Sequence, residues 1–238
     1  MGAPSAHVNV AAELRLFLKA ALRDGQVAVE CDGVSSLGHV VQSLGIPLTE
    51  VGRLVVNGRP EAPGYRPSGG DAIEVSGISR PQVVPEARFI LDVHLGALAR
   101  RLRLAGLDTA YSTDAGDDAL IEDANAGRRV LLTRDRGLLR RRTLWLGAYV
   151  YEAWPDDQFA EVLRRFAPPL APWTRCPGCN GLLATVSKGE VEAGLPPGTR
   201  RTYQQFSRCE NCGKVYWRGA HSKRLEALIA TARTAACG

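Results

Sequence analysis

Two short apolar runs constrain this chain more than any other feature. Phe89-Ile90-Leu91 stops on Asp92, and Val130-Leu131-Leu132 runs into Thr133-Arg134-Asp135. Unbroken apolar runs, lacking the alternation of a half-exposed strand, suit strands buried on both faces. Helical patterns around 95–105, from Asp117, around 136–142 and around 156–166 separate these runs from further strands near Ala110-Tyr111 and over 146–151. Such alternation with short connections predicts a parallel sheet flanked by helices, an α/β domain over residues 87–170. Ligands of open α/β sheets bind outside the carboxyl ends of the strands. This chain puts acid at each of those ends: Asp92, then Asp114 with Asp117-Asp118, then Asp135, then Asp156-Asp157. Carboxylates gathered on one edge repel one another unless a cation neutralises them, which points to a divalent-metal site acting on phosphodiesters. The competing reading is helix capping, because Asp favours N-cap and first-turn positions. Capping covers Asp117, Asp135 or Asp156 singly and covers Asp92 poorly.

In the helix after Asp92, Leu95, Leu98 and Leu102 form the buried stripe. Arg100, Arg101 and Arg103 are therefore expected to face solvent or a bound backbone. His94 reads as structural or as a phosphate contact. Other chemistries lack their motifs, since there is no GxGxxG or Walker A loop, no GxSxG elbow and no HExxH helix.

Cys176-Pro-Gly-Cys179 and Cys209-Glu-Asn-Cys212 are separated by 29 residues. Two CxxC knuckles are the ligand set of a zinc ribbon, and four filled positions predict a structural rather than a catalytic zinc. Residues 171–238 carry 10 Lys and Arg against 4 Asp and Glu, an excess of +6 that, with −1 over the residues before them, makes the chain's net charge of +5. Their basic residues interleave with Tyr203, Phe206, Tyr216 and Trp217, a mixture suited to phosphates and unpaired bases. The same rings also suit the ribbon's own core. A final helix is expected to dock through Leu225, Leu228 and Ile229 after His221-Ser222-Lys223-Arg224, and Cys237 has no expected role.

Residues 1–79 read as a separate α+β unit, joined by a Pro-containing linker at 80–86. Leu14–Leu18 and Val27–Val29 are expected strands. A helix with Leu37, Val40, Val41 and Leu44 on one face follows, then strands at Leu54–Val56 and Ala72–Val75. The ββαββ order, with turns at Asn57-Gly58 and Gly69-Gly70-Asp71, resembles the ubiquitin-like β-grasp fold and its small sulfur carriers. Those carriers act through a free C-terminal Gly-Gly, whereas here the chain continues, so a binding or positioning role is expected instead. Cys31 reads as a small hydrophobe.

The segments FILDVHLGALARRLRLAGLDT, DDALIEDA, RRVLLTRDRGLLRR and DDQFAEV resemble the Mut-seven C-terminal RNase family, a PIN-like nuclease group. The likeness extends over about residues 87–225, including the zinc ribbon and its KVYWRGAH stretch. A β-grasp unit is a known N-terminal companion. The resemblance implies a Mg- or Mn-dependent ribonuclease, an endoribonuclease by expectation, with RNA as its partner. Its acids correspond to Asp92, Asp117 or Asp118, and Asp135, with Asp157 as a further candidate. Arg134 joins Arg100, Arg101 and Arg103 as candidate phosphate contacts. The β-grasp unit offers a surface for a protein partner. The alternative is a non-catalytic RNA-binding adaptor built on the basic ribbon. No apolar run reaches the roughly 18 residues of a membrane span. The N-terminus lacks the charged and apolar regions of a secretory signal, and CxxC pairs suit a reducing compartment, so a cytoplasmic location is expected.

Overall fold

The computed structural model describes residues 4–219, 226–227 and 229–230. The expected docking residues Leu225 and Leu228, the His221–Arg224 stretch and Cys237 lie outside the described residues. The chain forms two compact units, Met1–Arg80 with Thr133–Tyr149, and Pro81–Leu132 with Val150–Gly238. No helix among the described residues is long and apolar enough to cross a membrane.

The first unit is built on a mixed sheet. Strand β1 (Ser5–Val10) buries Ala6, Val8 and Val10 and exposes the residues between, the period-two pattern of a one-sided strand. It pairs antiparallel with β2 (Gln26–Glu30). Helix α1 (Leu37–Ser43) starts at Ser36, whose side chain accepts from His39 N–H at 3.3 Å, and buries Leu37, Val40 and Val41. Strands β3 (Val51–Val56) and β4 (Arg59–Pro60) turn through Asn57 and Gly58, whose φ angles of 49° and 80° are the two positive values a type I′ hairpin requires. Strand β5 (Ala72–Gly77) lies parallel to β1 with His7 opposite Ala72, giving the order β2-β1-β5-β3-β4. This is the ubiquitin-like arrangement, with one correction. The expected strand at Leu14–Leu18 is a 3-10 segment, Ala12–Phe17, and Ser5–Val10 takes its place in the sheet. Leu14 and Phe17, three residues apart, eclipse on one face of a three-residue turn and bury together.

The second unit opens with β6 (Phe89–Leu91), every residue of which is buried. A 3-10 turn at Val93–Leu95 leads into α2 (Gly96–Leu104), then β7 (Thr109–Tyr111), α3 (Asp117–Ala126) and β8 (Val130–Thr133). Strands β7, β6 and β8 lie in that order and all run parallel. Helix α4 (Arg136–Leu139) and strand β9 (Gly147–Tyr149) then fall in the first unit. The chain returns through α5 (Pro155–Phe166), which packs on α2 and sets the Phe166 ring 5.3 Å from that of Phe89. The expected linker is tied down at Gln82, whose amide donates to the Arg165 carbonyl while its side-chain oxygen accepts from Arg165 Nε at 2.8 Å. Strand β10 (Leu183–Val186), the short helices α6 (Lys188–Val191) and α7 (Pro197–Thr202), and strands β11 (Phe206–Cys209) and β12 (Val215–Trp217) complete the described elements. The last three strands form an antiparallel ribbon, with Phe206 packed on Val191 and Leu195.

Candidate active site and four-cysteine centre

Strand register brings three carboxyl ends level, because Leu91 pairs with Tyr111 on one side and with Leu132 on the other. Asp92 stands immediately beyond that line. Its amide donates to the Leu132 carbonyl at 3.1 Å and its own carbonyl accepts from Leu95 N–H at 2.9 Å. The half-buried Asp92 side chain makes no cap on the turn that follows. Asp117 and Asp118 are exposed in the first turn of α3, a helix packed on β6. Neither is the N-cap, which is Gly116, although both sit where negative charge favours the helix dipole. Asp135 does cap its helix: Oδ1 accepts from Gly137 N–H at 2.6 Å and Leu138 N–H at 3.3 Å. Asp157 is exposed in the first turn of α5, and its neighbour Asp156 accepts from Arg101 Nε at 2.6 Å. Asp114 and His94 are exposed. No three carboxylates among the described residues bring their oxygens within 4.8 Å of one another.

The arginines divide. Arg100 and Arg134 are exposed, whereas Arg101 is half-buried against Asp156. Arg103 overturns its expected role as a phosphate contact, being 4% exposed. It donates to the carbonyls of Thr109 (2.8 Å), Pro177 (3.2 Å) and Gly178 (2.9 Å). Helix α2 packs against both α5 and β7, so the face expected to meet solvent is covered, and three carbonyl acceptors compensate the buried guanidinium.

The cysteines do converge. Cys176, Cys179, Cys209 and Cys212 place their sulfurs within 4.8 Å of one another, with Cys176–Cys212 at 3.8 Å and Cys179–Cys209 at 3.4 Å. A tetrahedral zinc with Zn–S bonds of about 2.3 Å sets sulfurs about 3.8 Å apart, so this donor set fits zinc in spacing and in softness. Burial opposes ionisation of Cys176, but the Tyr216 hydroxyl and the Cys179 and Gly178 amides bring its thiol down to about 6. The Gly181 amide favours the Cys179 thiolate, yet burial and sharing of protons with the other three sulfurs push it up to about 12. Four thiols crowded together thus resist becoming four thiolates, a cost that a bound dication removes.

An acidic latch joins this centre to the parallel sheet. Asp108, just before β7, accepts from Arg129 Nη1 at 2.7 Å, Asn180 Nδ2 at 2.8 Å and Arg88 Nε at 3.2 Å, and Arg175 lies 3.6 Å away. Asn180, directly after the first knuckle, returns its side-chain oxygen to Thr109 N–H at 3.0 Å. Burial raises the Asp108 pKa, but the Arg129 and Asn180 bonds outweigh it and hold the carboxyl at about 2. Gly106, at φ +88°, allows the chain entering the knuckle to lie on α2, where Ala171 and Trp173 amides bond the Ala105 and Leu104 carbonyls. None of the latch residues stands out by spacing or motif. The one available signal was the Asn directly after a CxxC, where φ is +69°.

Residues 3–83 match the Mut7-C ubiquitin profile, and residues 87–229 match the Mut7-C RNAse domain profile. Among solved structures, the crystal structure of H. volcanii small archaeal modifier protein 1 is similar at 19% identity. That likeness covers 33% of this chain and 100% of the other, with a TM-score of 0.26. Among curated proteins none matches. With the RNAse profile spanning more than half of its length, the chain belongs to the Mut7-C RNase domain family and carries the ubiquitin-like domain ahead of it.

Proposed function

We propose that the protein is a Mg- or Mn-dependent ribonuclease that hydrolyses RNA phosphodiesters internally, in the cytoplasm, with Asp92, Asp118 and Asp135 as metal ligands. The observation that carries this reading is the level carboxyl edge of β7, β6 and β8 in a domain of an RNase family, with acid beyond each strand. All the donors are carboxylate oxygens, which suit hard cations. Such cations keep several waters and take carboxylates directly or through those waters, so the three acids can serve one site without converging as closely as the four sulfurs do. A bound Mg²⁺ or Mn²⁺ supplies charge for the phosphate and lowers the pKa of water. Asp92 presents its carboxylate from a backbone fixed on Leu132. Asp135 spends Oδ1 on two amides, which holds its carboxylate in one orientation and leaves Oδ2 for a ligand. Asp117, the alternative to Asp118, and Asp157 are the further candidate acids of this site, and Arg100 and Arg134 meet the RNA backbone.

A binding-only adaptor competes, because capping already gives Asp135 a purpose and the charge excess lies in the ribbon. Labelled single-stranded RNA incubated with zinc-loaded protein and Mn²⁺ separates the two readings. Asp135→Asn is expected to abolish cleavage while RNA affinity stays intact or rises. Cleavage retained in that variant, or cleavage indifferent to EDTA, contradicts the metal mechanism. A salt-sensitive shift without products establishes the adaptor.

A further inference from the structure

The first unit does more than fold on itself. Its residues from the first 80 grip Thr133–Tyr149, the segment that holds Asp135. Glu50 is a charged residue only 3% exposed, and its Oε1 accepts from the Tyr149 backbone N–H at 2.7 Å. The Phe17 ring, 3% exposed, meets the Tyr149 ring edge-on, with centroids 5.2 Å apart and planes at 80°. The Arg136 guanidinium lies over both rings, 5.6 Å from the Phe17 centroid and 6.0 Å from that of Tyr149. Arg136 directly follows Asp135 and opens the helix that Asp135 caps. Both ends of the segment are therefore held, α4 through Arg136 and β9 through Tyr149. Burying a carboxylate is costly unless it is bonded, and a hydrogen bond to a charged group exceeds an ordinary backbone bond in strength. A carrier or a detachable adaptor has no use for a buried glutamate aimed at the amide of a strand 99 residues away.

We infer that the β-grasp unit braces the catalytic segment, with Phe17 and Glu50 acting as positioning residues for Asp135 through Arg136 and Tyr149. The inference rests on Asp135 serving in cleavage. It assigns the β-grasp unit a part in catalysis without any contact to RNA.

Glu50→Leu removes the acceptor but keeps bulk, whereas Glu50→Gln keeps an oxygen that can accept from Tyr149 N–H. In the full-length zinc-loaded chain, amide hydrogen exchange over 136–150 and kcat and KM for RNA with Mn²⁺ are measured for both. Glu50→Leu is expected to speed Tyr149 exchange and lower kcat, each by about tenfold or more, with KM within about twofold. Glu50→Gln restores both. Phe17→Leu, which loosens the ring contact without stranding a polar group, is expected to repeat the pattern more weakly and serves if Glu50→Leu does not fold. Unchanged Tyr149 exchange, or faster exchange with kcat intact, overturns the brace alone. Wild-type protein that cleaves nothing overturns the nuclease reading, and positioning falls with it.

Discussion

Asn in place of Asp108 removes one charge from the node that ties the first cysteine knuckle to the parallel sheet, without changing its shape. The carboxyl is held at about 2 against an ordinary 3.8, chiefly by Arg129 and Asn180 opposing burial. At roughly 1.4 kcal/mol per pKa unit, the ionised side chain stabilises the fold by about 2 kcal/mol. The side chain is 18% exposed, shielded enough for that figure to survive screening at the surface. Because the folded pKa lies below the unfolded one, this contribution is complete above about pH 4 and fades as pH falls toward 2. Urea unfolding of zinc-loaded wild type and Asp108→Asn, followed by tryptophan fluorescence at pH 7, reads it directly. The variant's midpoint is expected to fall by about 1 M, for a slope of about 2 kcal/mol/M. The gap between the proteins should close on acidification. Equal midpoints at pH 7, or a gap that widens below pH 4, refute the latch.

Two further outcomes follow from the same junction. Gly106→Ala sets a Cβ against the Ala171 carbonyl at a positive φ, so about 2–4 kcal/mol of stability should be lost in thermal unfolding, while Gly116→Ala, with open space around it, changes little. Stripping zinc with a thiol-reactive mercurial should release about one zinc per chain by atomic absorption and lower the unfolding temperature, because Arg103 and Asn180 lose the loop that holds them.

The parallel sheet and the cysteine centre were legible because each rests on a local signal. Three-residue apolar runs ending in acid mark β6 and β8, and CxxC spacing marks the knuckles. The Asn57-Gly58 hairpin was legible for the same reason. Strand β1 was not, since Ala-His-Val-Asn-Val is weakly apolar and the Leu-Arg-Leu-Phe-Leu stretch beside it carries the stronger strand signal. Arg103 shows a limit of helical periodicity. The leucine stripe says which face is buried first, but not that a second partner, the first cysteine knuckle, covers the adjacent face. Glu50 and Asp108 are invisible in the sequence because their partners, 99 residues away for Glu50 and 20, 21 and 72 residues away for Asp108, obey no spacing rule.

Cleavage by this protein, as proposed, requires carboxylates that hold a divalent cation. Titrating zinc-loaded protein with Mn²⁺ and following free Mn²⁺ by electron paramagnetic resonance measures this without RNA. The wild type is expected to take up Mn²⁺, and Asp92→Asn with Asp135→Asn to lose that binding while keeping zinc and the fold. Equal Mn²⁺ uptake by both proteins, or none by either, contradicts it.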